Sequence, residues 1–462
     1  MNALEWRVAV SLSAVYAVRM LGLFMILPVF SLYASEFAGT TEFLTGLAIG
    51  IYGLTQAIFQ IPLGLASDRI GRKPVIITGL LIFAAGSAVA ALADSIWLII
   101  LGRTLQGMGA IAAATMALAA DLTRDEYRAR IMAFIGMSIG LSFMVAMIIG
   151  PLLNARVGLS GIFWVTMGLA LGGIALIAFA VPQPVQIRSH RDAGILKGYI
   201  GKALNNASLL RMDAGVFILH LIMTANFLVV PRLFAEQLGL ATVDHWKIYL
   251  PVFLLSFVLA VPMIILAEKH RQVKRMLLIA IIMLIAAELL LAFAFSSTIP
   301  LIAAFLIFFI GFNFLEAVQP SLVAKYAAVD TKGTAMGIFS SSQFFGIFIG
   351  GSLGGLIDQQ FGISGVFIFS AVMAAVWLFI SFSLPQPQFF ASRIVKLNTT
   401  TEHANDGDTR QQTDWQEIHR QLLAIPGVRE VSIVAQEQLA YIKVDKNELD
   451  DKALRAFSAT PA

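Results

Sequence analysis

Charge is missing from long stretches of this chain. Residues 43–67, 75–93, 131–155, 248–267 and 333–357 hold no Asp, Glu, Lys or Arg. Each is long enough to cross the roughly 30 Å hydrocarbon core of a bilayer as a helix. A helix lining a water-soluble core would be shorter and polar along one face. The same pattern predicts twelve crossings, at about 8–33, 43–66, 75–94, 96–120, 130–153, 160–182, 213–234, 247–267, 276–296, 299–323, 333–356 and 361–384. One long polar connection, 183–212, divides them into six plus six. An all-α membrane protein of two six-helix bundles, 1–182 and 213–385, is therefore expected, with 386–462 as a separate C-terminal unit.

The halves echo each other. "GLSGIFW" at 158–164 returns as "GISGVFIF" at 362–369, 204 positions on. At that offset Gly107 meets Gly311, Arg128 meets Lys332, Met132 meets Met336 and Gly150 meets Gly354. At an offset of 200, Pro62 meets Pro262, Asp68 meets Glu268 and Arg69 meets Lys269. Parallel repeats related by an axis along the membrane normal are a transporter architecture, with the substrate site between them.

Beyond the last crossing the pattern changes. Residues 399–413, "TTTEHANDGDTRQQT", lack large apolar groups and read as a linker. Thr413 and Gln416 have capping-box spacing ahead of a helix reaching about Ala424. "PGV" then turns into two β-rich runs, "REVSIV" and "LAYIKV", and "DKNELDDKALRAF" reads as a second helix. With "RIVKL" at 393–397 as a leading strand, the order βαββα predicts a small α+β ferredoxin-like domain.

Composition agrees with the pattern. The 462 residues are 58% hydrophobic and 13% charged, with a mean hydropathy of +0.83, whereas a soluble domain carries about 25% charged residues. The net charge of +4 conceals an asymmetry. With a cytoplasmic N-terminus, the inner loops 67–74, 121–130, 183–212, 268–275 and 324–332 hold most of the basic residues, and the opposite side holds only Arg156, Arg232 and Lys247. The positive-inside rule then places both termini in the cytoplasm of a multi-pass inner-membrane protein. The basic excess thus reports topology, and no nucleic-acid partner is expected. Absence of cysteine excludes disulfides and thiolate metal sites. No cofactor or metal is expected, and no G-x-x-x-x-G-K-[ST] loop offers nucleotide-driven transport.

One acid and three cations crowd into the turn "GLASDRIGRKP", 64–74, between two apolar segments. Gly64 permits close helix approach, Gly71 a sharp turn, and Pro74 suits the first turn of a helix. Arg69, Arg72 and Lys73 sit where positive-inside predicts, and a plain solvated turn would explain them. Asp68, beside an anionic lipid surface, needs a helix N-terminus or an arginine. Within the spans, Arg19 and Arg103 each cost about 2.5–3.5 kcal/mol at a helix centre. They either bind buried carbonyls as structural glue or set the charge of a cavity. The second half offers Glu316 and Asn313, three residues apart and so on one helix face, with His220 and Asn226. Glu316 is the preferred proton carrier; a hydrogen-bonded carboxyl for it and a packed neutral imidazole for His220 are the plainer alternatives. Gln56, Gln60 and Gln343 read as cavity lining or interhelical glue, with Gln56 placed among the cavity residues. Glu288 receives no role.

"GLASDRIGRK" resembles the loop 2–3 signature of the major facilitator superfamily, G-x-x-x-D-R-x-G-R-K, and "LGRTLQGMGA" at 101–110 is similar to its helix-four motif, with Arg103 as the arginine. Gly150-Pro151 resembles the antiporter-type helix-five motif, although Leu153-Asn154 stands where a glycine pair is expected. "DSIWLIILGRTLQG" and "KGTAMGIFSSSQFFGIFIGGSLGG" extend the likeness to the drug/proton antiporter-like branch. The resemblance implies that Asp68 docks at the N-terminus of the helix beginning near Gly333 and that Arg72 pairs with Asp121, latching the cytoplasmic side shut. It also implies that Arg19, Arg103 and Glu316 face a central cavity. The tail resembles heavy-metal-associated domains without their Cys-x-x-Cys loop. The expectation is a proton-coupled secondary transporter exporting a small amphipathic organic compound by rocker-switch alternating access, not an enzyme. Uptake of an anionic metabolite and a membrane sensor with a regulatory tail are the alternatives; self-association through the tail is a further expectation.

Overall fold

The computed structural model describes residues 1–183, 197–293, 298–328, 331–397, 415–435, 438–445 and 448–457. Its helices are α1 (Ala3–Phe24), α2 (Phe30–Tyr33), α3 (Glu42–Ile70), α4 (Arg72–Ala91), α5 (Ile96–Met108), α6 (Ala112–Asp121), α7 (Asp125–Ala175), α8 (Lys197–Leu204), α9 (Ala207–Leu238), α10 (Trp246–Lys269), α11 (Val273–Phe293), α12 (Thr298–Tyr326) and α13 (Lys332–Phe382). The C-terminal unit adds β1 (Ala391–Lys396), α14 (Trp415–Ala424), β2 (Val428–Val434), β3 (Leu439–Val444) and α15 (Asp451–Arg455). Among the described residues, ten helical segments are long and apolar enough to cross a membrane.

Two of those segments run for 51 residues each, α7 and α13. At 1.5 Å per residue that is about 75 Å, more than twice the hydrocarbon thickness. Each is broken once, α7 at Gly158 (φ 66°, ψ −177°) and α13 at Gly362 (φ 67°, ψ −172°). Only glycine visits that region without strain. The two breaks lie 204 residues apart, which is the offset of the sequence repeat.

Three expected elements differ in detail. The crossing expected over 96–120 is two helices, because Gly109 (φ −71°, ψ 43°) interrupts the ladder between α5 and α6. The stretch 8–33 is helical to Phe24 and again over α2, with Pro28 in the non-helical turn between. Part of the polar connection 183–212 is helical, as α8 and the start of α9, while 184–196 lie outside the described residues.

Apolar packing divides the molecule unevenly. One core unites second-half residues such as Phe227, Phe253, Phe309 and Trp377 with Met25, Ile26, Phe30, Ala48 and Ile49 of the first half. A second core belongs to the first half alone, from Val8 and Leu12 through Phe83 to Val181, with Phe344 of α13 added. The halves therefore share a core at the end carrying residues 25–49.

The C-terminal unit is a three-stranded antiparallel sheet, order β1-β3-β2. Leu422 of α14, Ile425 just beyond it and Leu454 of α15 pack with Val431, Ile442 and Val444 of the sheet. Arg393 donates to Asp451, with Arg455 also paired to it, and these bonds hold that carboxyl below the ordinary carboxylate range. The linker at 399–413 and the Thr413 cap lie outside the described residues. The unit touches the second half: Lys443 Nζ donates to Ala327 O at 2.6 Å, and Lys325 Nζ stands 4.4 Å from the Phe389 ring centre.

Candidate functional site

The charged turn forms because Gly71 (φ 105°, ψ 148°) ends α3 and reverses the chain into α4. That reversal folds Arg72 back over the end of α3. Arg72 Nη1 donates to Ser67 Oγ at 2.8 Å and to Asp68 Oδ1, and its Nε donates to Asp121 Oδ2 at 3.0 Å. The Asp121 side chain is fully buried and that of Asp68 is 30% exposed. Lys73 reaches elsewhere, donating to Val181 O at 2.8 Å and Ala178 O at 3.4 Å. A cation at these terminal carbonyls suits the helix dipole. Arg69 is exposed, and Gly64 lies against Ala113 of α6. Asp68 makes its ion pair within the first half, with Arg72. In the second half the corresponding corner is Glu268 with Lys325, at 2.7 Å. There the acid ends α10 and the cation ends α12, the reverse of Arg72 with Asp121.

Arg19 and Arg103 are both buried and flank the Tyr52 ring, at 5.9 and 5.1 Å from its centre. Arg103 is engaged throughout: Nη1 donates to Gln106 Oε1 at 2.8 Å, Nε to Ala48 O at 3.3 Å, and Nη2 to Ile49 O at 3.5 Å. Arg19 Nη2 donates to Gln56 Oε1 at 2.6 Å and to Gly109 O at 3.1 Å, the carbonyl freed by the helix break. Gln56 Nε2 in turn donates to Gln60 Oε1 at 3.2 Å. Arg19 Nε and Nη1 are buried without a hydrogen-bond partner among the described residues. Their remaining neighbours are aromatic, including Phe83 at 5.6 Å.

The second-half candidates fall into three groups rather than one. His220 of α9 meets Glu316 of α12 (Nε2 to Oε2, 3.7 Å) and Gln343 of α13 (Nε2 to Nε2, 2.7 Å). Its Nδ1 lies 3.1 Å from Val216 O, so Nδ1 carries a proton and Nε2 accepts from Gln343. The Glu316 side chain is 43% exposed at mid-helix. Asn313 turns to α10, donating to Ser256 Oγ at 2.9 Å, and does not join Glu316. Asn226 donates to Glu288 Oε1 at 2.6 Å, a fully buried pair between α9 and α11. Glu288, which had no expected role, is thus placed against one of the expected cavity residues. Gly150 lies against Met25 O, 2.4 Å from where a Cβ would stand, so the helix-five motif seats α7 on the broken end of α1; Pro151 is buried beside it.

The end opposite the charged turn is closed by backbone contact between halves. A Cβ on Gly46 would stand 2.1 Å from Gly351 O, one on Gly50 2.8 Å from Phe348 O, and one on Gly53 2.3 Å from Phe344 O. Gln359 Oε1 accepts from Phe43 N at 3.4 Å, at the open N-terminus of α3, and Tyr33 Oη donates to Thr242 Oγ1 at 3.2 Å. Close by, Arg232 donates to Asp358. The glycines that make this seam had passed in sequence as ordinary small residues of apolar spans. Their signal is the i, i+4 spacing of Gly46 with Gly50 and of Gly351 with Gly355.

Comparison with known proteins agrees with this architecture. The family model described as Major Facilitator Superfamily matches residues 12–267 and 213–428. The inner membrane transport protein YajR of Escherichia coli is 44% identical over 441 residues, covering 96% of this chain and 94% of that protein. The multidrug resistance protein MdtH of Aeromonas salmonicida is 27% identical over 338 residues, 72% of this chain and 82% of that one. Among solved structures, a bacterial homologue of the human lysosomal transporter Spinster, inward-facing and occupied, superposes with a TM-score of 0.69 at 13% identity, covering 83% of this chain and 97% of that one. The human organic anion transporter MFSD10 gives 0.59 at 19% identity, covering 82% and 100%. These last two likenesses concern the fold.

Proposed function

Since the chain belongs to the Major Facilitator Superfamily, and is thus a membrane transporter rather than an enzyme, we propose that it is a proton-coupled secondary transporter exporting a small amphipathic organic compound by alternating access. In this reading the breaks at Gly158 and Gly362 raise the crossings to twelve, in bundles 1–182 and 213–385. The charged turn and both termini face the cytoplasm of the inner membrane, the 386–462 unit is ferredoxin-like, and the glycine-packed end faces outward. One observation carries the proposal: the halves pack backbone to backbone at one end while the Glu316 side chain, at mid-helix, is 43% exposed. In this reading that is one arm of an alternating-access cycle, open to the inside.

The proton site in this reading is Glu316 with His220 and Gln343, which joins three helices of the second half. A proton arriving at Glu316 removes the charge facing His220 and frees the carboxyl to leave water as the cavity closes. The charged turn supplies the opposite lock. When the inner end closes, Asp68 leaves its exposed position and docks on the N-terminus of α13 near Gly333, with Arg72 and Asp121 holding the turn in shape. Proteoliposomes carrying a lumenal pH dye test the coupling. Adding a transported amphipathic compound is expected to move protons opposite to it in the wild type and to move none in Glu316→Gln. Compound flux indifferent to a pH gradient would overturn the proposal. A second reading, uptake of an anionic metabolite, is favoured by the unpartnered donors of Arg19. In the same assay it predicts proton and compound moving together.

A further inference from the structure

A cavity of about 580 Å³ opens between the halves at the glycine-packed end, remote from Glu316 and the charged turn. It is lined by Ser31, Thr40, Glu42 and Thr45 of the first half and by Arg232 and Asp358 of the second. Its size falls in the range of small-molecule sites and exceeds what a bare ion needs.

Several polar groups of its wall are already committed within the protein. Thr40 Oγ1 spends its proton on Ala34 O or Phe37 O, both at 2.8 Å, and Thr45 Oγ1 spends its own on Thr41 O at 2.9 Å. Each hydroxyl therefore presents lone pairs only. Arg232, the cation of the wall, donates to Asp358 Oδ2, and its Nε lies 3.8 Å from Glu236 Oε1. Arg232 Nη2 has further N–H donors, and the Ser31 hydroxyl can donate as well as accept. Asp358 Oδ1 and Ser31 Oγ are buried with no hydrogen-bond partner among the described residues, and the Asp358 side chain is only 1% exposed. Glu42 adds a further carboxylate, exposed at the start of α3. A buried carboxylate oxygen without a donor is costly, and such groups mark where a ligand or ordered water belongs.

The geometry points to a binding site for a small organic ammonium or guanidinium compound at this end of the molecule, its N–H donors taken by Asp358 Oδ1, Ser31 Oγ and the threonine oxygens. Both cations are donor-only and positive, matching the carboxylates of Asp358 and Glu42 and the lone pairs of the threonine hydroxyls. The site is separate from the proposed transport cavity. Filling it joins residues 31–45 to α9 and α13, so an occupant holds this end closed.

The test uses full-length protein purified in detergent and titrated with agmatine, which carries both cation types, by isothermal titration calorimetry. Saturable agmatine binding is expected, with choline, a cation lacking N–H donors, at least tenfold weaker. Asp358→Asn should weaken agmatine at least tenfold. Because that change also disturbs Arg232, Ser31→Ala and Thr45→Val serve as variants that leave the ion pair alone, each weakening binding about threefold or more. No saturable binding, equal binding of choline, or agmatine affinity unchanged in all three variants would overturn the site. Nanodiscs identify the source of the ammonium. Weaker apparent agmatine affinity in ethanolamine lipids than in choline lipids means that a lipid headgroup occupies the site; equal affinity means a soluble amine does.

Discussion

Burial separates the two acids that share Arg72. Asp121 is fully buried and meets Nε in good geometry, whereas Asp68 is 30% exposed. Removing one partner of a buried ion pair costs about 3–5 kcal/mol, while an exposed one is worth about 1 or less. Asp121→Asn is therefore expected to lower the melting temperature of the purified protein clearly. Asp68→Asn should leave it near wild type yet cut transport to a small fraction, since its work lies in the other conformer. Equal melting shifts, or Asp68→Asn transport near wild type, would refute that division. These residues could be singled out in sequence because charge is conspicuous among apolar spans and the loop motif fixes their order. Asn226 and Asn313 could be singled out too, but not their pairing with Glu288 and Ser256. Those pairs depend on how two apolar helices are rotated about their axes, and an apolar helix leaves no periodic mark of that rotation.

At the scale of elements, glycine decides where helices break and where they touch. Spans were legible because missing charge over some twenty residues is a strong signal. The break at Gly109 was not, since a glycine inside an apolar run reads equally well as a packing residue; the carbonyl it frees is the one Arg19 takes. The seam of α3 and α13 is the sharper case. Gly46 faces Gly351 O so closely that a methyl group would lie 2.1 Å from it, and backbone on both sides leaves nothing flexible to yield. Gly46→Ala is thus expected to force the packed end apart and shift the population toward the other conformer. Gly168→Ala, where a Cβ would meet nothing within 4 Å, is the matched control. Spin labels at Thr41 and Gln359 should separate by several ångströms in Gly46→Ala and stay put in Gly168→Ala. An unchanged distance in both would mean that the seam does not govern closure.

The whole molecule combines a glycine seam between the halves with a C-terminal unit anchored to one of them. Lys443 and Phe389 bind that unit to the end of α12, beside the Glu268–Lys325 pair. A body fastened this way must travel with the second half when the halves rock. The order of its strands and helices was readable from alternating apolar positions and turn residues, but its docking was not. Docking rests on single contacts such as Lys443 with Ala327 O, between segments over a hundred residues apart. The consequence can be measured without knowing the transported compound, because Gly46→Ala supplies the conformational shift. With labels on Leu423 of the soluble unit, His270 of the second half and Ile70 of the first, the Leu423–His270 distance should stay constant on introducing Gly46→Ala. The Leu423–Ile70 distance should shorten as the charged-turn end closes. If instead Leu423 keeps its distance to Ile70 and moves from His270, the unit rides on the first half, and the contacts to α12 do not hold it.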